Sequence, residues 1–469
     1  MAAPATPAAP AGKAAPKEGA AEAPPHERMF VSESSRMEEV FGEKPLNGYL
    51  TTMMHLVKGY VGTGIFAMGE GFKNSGMIMG PTLLLMIGIM NLNCQHILAT
   101  TSQKISKEVG REVNPSFQET VEYTFDTSKL NILQKNAKRL GWMTNIFLLV
   151  CELGFCCVYF VFVANHVLEI AHNSGWLDAK DPFSIHLVLA VILVPMWAST
   201  FLGNLKLLLP LSVIANILIW IGIGIIFYFT TYEGLPPVEE RKAVSHFSRW
   251  PLYFGTALYA FEGITFIIPL RNEMKNKDQF ITKLGVLNVG MTFVFGLYML
   301  VGSLAYWKYG DDVRSSVFLN LTEEDPSVSD AIDAIISIAI IFTFTLHMYI
   351  PFEISFPLFY RKYGPFKYPF LVMCIYRSVP VLVTWTMANI IPFLGLFISL
   401  VGATVGSVLA LVIPSMLELV AFQGELSVWQ IMKDIMVITI GIVGTITGSV
   451  LSLMDIVEKF RTEYFGGEE

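Results

Sequence analysis

The residues best suited to chemistry in this chain sit in two short stretches of otherwise apolar sequence. The first is Leu56-Val-Lys-Gly-Tyr-Val-Gly-Thr-Gly-Ile-Phe66, which puts Gly59, Gly62 and Gly64 inside a hydrophobic run. Glycine in a helix interior is less favourable than alanine by about 1 kcal/mol, so the cluster predicts an unwound hinge at Gly62, Thr63 and Gly64. A membrane tolerates a broken helix only where the freed N–H and C=O groups face protein or a wet cavity. Backbone N–H groups at the start of a half-helix attract anions. The chemistry this suits is non-covalent: peptide groups at mid-bilayer holding the carboxylate of a small substrate. The second stretch is Gly255-Thr-Ala-Leu-Tyr-Ala-Phe-Glu-Gly-Ile264, where Glu262 stands beside Gly263 deep in an apolar run. A charge at the centre of a membrane helix costs roughly 2.5–3.5 kcal/mol on insertion scales, which predicts that Glu262 faces the protein interior with a partner or a task.

The elements that must position these residues follow from composition. Of 469 residues, 53% are hydrophobic and only 15% charged, against about a quarter charged in a typical soluble domain. Apolar runs of about 18 residues or more, enough to cross roughly 30 Å of hydrocarbon, recur along the chain. Hydropathy with gaps at charge and turn clusters places eleven spans at 47–69, 77–100, 141–170, 183–203, 206–230, 246–270, 281–306, 329–358, 369–388, 393–420 and 429–453. The class is an all-α polytopic membrane protein, with the lipid bilayer as its surroundings. The glycine-broken spans are the first and the sixth. Interrupted helices at corresponding positions of two halves point to an inverted-repeat transporter. The expected organisation is a disordered, Ala/Pro-rich cytoplasmic tail at 1–45, repeat one at 46–230 and inverted repeat two at 246–422. Span eleven follows at 429–454, with a C-terminal tail at 455–469. The bland alternatives are close helix packing for the glycines and a backbone-bonded structural carboxylate for Glu262.

Other residues join this scheme. His55 lies two helical turns, roughly 10 Å, before the hinge. Its side chain exchanges protons near physiological pH; the alternative is a structural histidine near the inner interface. Glu152, Phe155, Tyr159 and Phe162 share a face of span three, placed either to line the site or to fill the core. Tyr259 and Phe261 flank the second break as gates, and Thr345, Tyr349 and Glu353 share a face of span eight. Basic residues in the loops after spans two, six and eight place the N-terminus in the cytoplasm, although the loop after span five argues the other way. That orientation puts the glycosylation sequon at Asn320 outside. All five cysteines (Cys94, Cys151, Cys156, Cys157 and Cys374) fall in or at the ends of spans, as free thiols. No metal-ligand spacing, nucleotide loop or catalytic triad stands out, so no cofactor, metal, nucleic acid or enzymatic activity is expected.

Four segments together carry a family resemblance: HLVKGYVGTGIFAMGEGFKNSG, YAFEGITFIIPLRNEMK, HMYIPFEISFP and IPFLGLFISLVGATVGSVLALVIPSMLEL. The chain resembles the amino acid/auxin permease family over roughly residues 41–455. Within it, the chain is most similar to the proton-assisted amino-acid transporter branch, as an insect-type member. The resemblance implies an eleven-span LeuT-like fold with a 5+5 inverted repeat and symport of small neutral amino acids with protons. It also implies a plasma-membrane or lysosomal address and nutrient-signalling partners. The family's hinge falls on Gly62, Thr63 and Gly64, its second break on Phe261, Glu262 and Gly263, and its proton-coupling histidine on His55. There are departures: Gly69-Glu70 stands where many members carry proline, His347 where glutamine is common, and Arg271 where an acid is usual. External cysteines that some members pair are missing. These departures motivate a rival reading, a proton-independent facilitator or exchanger. The tail and the loop from Thr101 to Leu140 motivate another, an amino-acid sensor that signals without transport.

Overall fold

Apolar runs of this length can satisfy their backbone only internally, and among the described residues the chain is helical with no strand. The computed structural model describes residues 46–111, 113–201, 205–232, 234–323, 326–364 and 366–466; the tail expected at 1–45 lies outside them. Span one is three pieces, α1 (Tyr49–Tyr60), α2 (Thr63–Phe66) and α3 (Met68–Ser75). Span two is α4 (Met79–Val109), and α5 (Phe117–Asp126) lies between it and span three, α6 (Asn131–Asn173). Spans four and five are α7 (Ser184–Ser199) and α8 (Leu205–Tyr232). Span six is divided into α9 (Trp250–Ala260) and α10 (Ile264–Asn272). Spans seven to nine are α11 (Val286–Tyr309), α12 (Pro326–Tyr363) and α13 (Pro369–Ile390). Span ten is α14 (Leu394–Ala421) and span eleven α15 (Val428–Phe465). Among the described residues, nine helices are long and apolar enough to cross a membrane. The broken first span and the short fourth complete the expected set.

Boundaries differ from the hydropathy reading in three places. The loop expected at 101–140 is largely helix. Here α4 runs to Val109 and stops at Gly110 in a left-handed turn (φ 73°), while α5 starts at a Ser116–Glu119 capping box. Charged residues carry helices past the hydrocarbon, where a hydropathy window no longer follows them. For the same reason the segment expected as a tail from 455 stays helical to Phe465. Tyr464 Oη lies 2.7 Å from His186 Nε2 and donates to the Pro182 carbonyl, and Asp455 pairs with Arg249. In span four, α7 has 16 residues, roughly 24 Å at 1.5 Å per residue, and contains Pro195.

Of the nine long spans, six, ten and three are the most buried, and nine and eleven face outward. Packing recurs at a distance of five spans. Span one lies on seven as six lies on two, and five lies on eight as ten lies on three. Likewise five lies on seven as ten lies on two, and four on eight as nine on three. The entrance to span one and the exit of span six are joined directly: Asn47 N–H donates to Glu273 O and Lys275 N–H to Asn47 O. Spans six and ten touch backbone to backbone, because a Cβ on Gly402 would fall 1.9 Å from the Gly255 carbonyl oxygen. Span ten carries two π-helical stretches in tandem, Gly402–Gly406 and Val408–Val412.

Candidate functional site

Both glycine-marked spans are interrupted, and the interruptions meet. In span one the helix stops at Tyr60, Val61 and Gly62 are extended, and α2 begins at Thr63. Among the described residues the N–H groups of Gly62, Thr63 and Gly64 have no backbone partner. The two glycines do different things. A Cβ on Gly62 would meet nothing within 4 Å, whereas one on Gly64 would lie 2.7 Å from Ala260 Cα. The hinge is therefore centred on Gly62, and Gly64 lets span six approach. A second irregularity follows at Ala67, between α2 and α3. In span six the interruption covers Phe261, Glu262 and Gly263, and Gly263 sits under the Tyr60 ring.

The carbonyls freed at these ends are held by side chains from the neighbouring spans. The Tyr298 hydroxyl, on α11, is 2.6 Å from the Tyr60 carbonyl and 2.7 Å from the Ala260 carbonyl. The Asn91 amide, on α4, donates to the Phe261 carbonyl at 2.8 Å. Thr63 and Tyr259 share a hydroxyl–hydroxyl bond of 2.9 Å across the breaks. Several buried polar atoms here lack a hydrogen-bond partner among the described residues: Tyr60 Oη, Asn91 Oδ1 and both carboxyl oxygens of Glu262. The Ile264 amide lies beside Glu262, and Glu152 is its charged neighbour. An ionised carboxylate so placed costs several kcal/mol unless a cation or proton accompanies it.

One wall comes from spans three and eight. Glu152 Oε2 lies 2.8 Å from His347 Nδ1. The rings of Phe155, Tyr159 and Phe266 surround the imidazole at centroid distances of 5.5, 5.3 and 6.5 Å. Phe155 also meets Tyr259 at 4.8 Å. The structure thus gathers Gly62, Thr63, Gly64, Tyr259, Glu262, Gly263, Glu152, Phe155 and Tyr159 into one region. Phe162 turns away, toward Phe66 and His166. Phe261 packs on Tyr298 and beside Gly88, on the side of spans two and seven. His55 is exposed on α1 and does not join the cluster. Thr345 bonds Ser199; the side chain of Glu353 lies outside the described residues. Asn320 Nδ2 donates to Asp312 O, and its Oδ1 accepts from Arg314 N. The side chain of Thr322 lies outside the described residues. Sequence reasoning missed Asn91 and Tyr298 as clamps, and His347 as the partner of Glu152. Asn91 and Tyr298 were signalled only by polarity inside an apolar run, and His347 by standing where glutamine is common.

A second buried cluster joins the ends of spans three and eight away from the break. His166 Nδ1 lies 2.6 Å from Asp333 Oδ1 and its Nε2 3.2 Å from Ser316 Oγ. Arg314 pairs with Glu169 at 3.0 Å, and Asn173 donates to Asp330. The order Ser–His–Asp has the outline of a nucleophilic triad, but all three residues are at most 1% exposed or fully buried. The arrangement pins helices to a loop.

Comparison with known proteins gives the family. Residues 47–454 match the family model described as "Transmembrane amino acid transporter protein". The chain is similar to "Proton-coupled amino acid transporter-like protein pathetic" of Drosophila melanogaster, 31% identical over 431 residues, 89% of this chain and 87% of that one. It is also similar to "Probable amino acid transporter skat-1" of Caenorhabditis elegans, 24% identical over 455 residues, 94% and 96% of the two chains. Among solved structures, the nucleobase-cation-symport-1 family transporter Mhp1, closed with bromovinylhydantoin bound, superposes with a TM-score of 0.48 at 13% identity, covering 90% and 94%. Its inward-facing form gives 0.48 at 12%, covering 88% and 90%.

Proposed function

The chain belongs to the transmembrane amino acid transporter family, and on that premise we propose that it carries small neutral amino acids with protons across the plasma or lysosomal membrane. It is a multi-pass transporter and not an enzyme. The observation that carries the finer reading is the meeting of two interrupted helices around unpartnered polar groups. The substrate carboxylate meets the N–H groups of Gly62, Thr63 and Gly64, which have no backbone acceptor. The ammonium meets the carbonyls at the ends of α1 and α9, now shared by one tyrosine hydroxyl. Tyr159, Tyr259, Phe261 and Gly263 shape the space around the side chain, so that a small apolar group fits best. Glu262 takes the proton at the break, and His55 is the proton group on the cytoplasmic side.

Spans 46–230 and 246–422 act as inverted repeats that rock about this site; the recurrence of helix packing at a distance of five supports this. The N-terminus is cytoplasmic, which leaves Asn320 on the far side as a glycan acceptor. The test is uptake of alanine, proline and glycine by proteoliposomes. We expect uptake to rise with an inward proton gradient. Uptake that stays the same after the gradient is collapsed would overturn the symport reading and leave a facilitator.

A further inference from the structure

The buried pair Glu152–His347 has no part in the scheme above, yet it forms one wall of the site. Its side chains are 3% and 13% exposed, so the imidazole is the more open of the two. From span three the imidazole and its carboxylate are faced by Cys151, Cys156 and Tyr159, and from span six the carboxylate is faced by Glu262, with Tyr259 behind Tyr159 and Phe155; Tyr60 of span one faces Glu262. Among the described residues neither Glu152 nor Glu262 has a Lys or Arg at ion-pair distance, and the basic side chain that meets Glu152 is His347.

The charge count then turns on a single proton. With Nδ1–H donating to Glu152 and Nε2 bare, the pair carries one negative charge. A proton on Nε2 makes it a neutral imidazolium–carboxylate pair. An uncompensated charge inside a membrane is costly, so this proton decides which conformation the site adopts. The route to the substrate is short: His347 meets Phe155, Phe155 meets Tyr259, and Tyr259 bonds Thr63 at the first break.

We infer that His347, oriented by Glu152, is a proton-carrying group of the transport cycle, loaded at Nε2 from water on one side and emptied to water on the other. The N–H bond formed at loading is the one broken at release, and Nδ1–H stays with Glu152 throughout. This rests on the symport reading and adds a residue to it. Glu152 is the positioning residue, which fixes the ring and compensates its charge.

The test uses the full-length protein in proteoliposomes, with gradient-driven uptake, counterflow at equal pH, and uptake against external pH. His347→Gln is expected to lower gradient-driven uptake about tenfold more than counterflow, within the usual span of coupling factors. Glu152→Gln is expected to move the uptake curve about one unit toward acid, because the imidazolium loses its counter-charge, and Glu152→Asp to restore most of it. If His347→Gln keeps the wild-type ratio of driven uptake to counterflow, the inference is overturned. If that variant does not fold, an unshifted curve in Glu152→Gln overturns it equally. A wild type that ignores the gradient defeats the symport reading itself, a result separate from either variant.

Discussion

At the scale of the residue, the Tyr298 hydroxyl has one hydrogen and two carbonyls within reach, at 2.6 and 2.7 Å. It ties the ends of both half-helices while leaving one acceptor short at any instant. A buried carbonyl left without a donor costs about 1–3 kcal/mol. Tyr298→Phe is therefore expected to lower the melting temperature of the purified protein. In the proposed scheme the substrate ammonium replaces this hydroxyl on the two carbonyls, so the KM for amino acid should fall, by about tenfold for 1.4 kcal/mol no longer needed to displace it. Unchanged KM and melting temperature would remove Tyr298 from the site. Glu262 and Tyr259 were legible in the sequence because polar groups among apolar neighbours demand a reason. Tyr298 was not, because it reads as one more membrane aromatic. Its partners are 238 and 38 residues away, a distance that no local spacing encodes. His55 shows the converse: its type suits proton exchange, yet its position on α1 leaves it exposed.

At the scale of the element, the breaks were the most legible feature, since Gly59, Gly62 and Gly64 crowd one short stretch and disfavour a continuous helix there. The division of labour among the glycines was not, because close approach is a property of two helices together. Gly64 admits Ala260, and Gly62 has open space beside it. Gly64→Val is expected to abolish uptake while surface expression persists, because spans one and six must separate to admit the side chain. Gly62→Ala, which keeps the N–H and meets no atom within 4 Å, is expected to impair uptake far less. Surface-labelled protein and initial uptake rates, measured side by side, decide this. Equal losses in the two variants would mean that flexibility at the hinge matters more than contact.

At the scale of the whole molecule, the eleven spans follow from hydropathy alone, whereas helix ends beyond the hydrocarbon, such as α15 reaching Phe465, do not. The pinning of spans three and eight by His166 and Asp333 joins residues 167 apart. Removing one member of a buried pair costs about 3–5 kcal/mol, because the other is left uncompensated. Asp333→Asn is accordingly expected to lower the melting temperature of the detergent-purified protein more than Lys242→Gln, whose partner Asp311 is half exposed. Equal melting temperatures would mean that the pair bears no structural load. The tandem π-turns of span ten have a consequence for the site. A π-turn closes its hydrogen bond over one residue more than an α-turn, so the backbone of Gly402–Gly406 and Val408–Val412 departs from regular α-helix. Gly406 lies on this stretch with Glu262 Oε2 3.7 Å from where its Cβ would be, so the carboxylate is backed by a widened turn with no side chain in between.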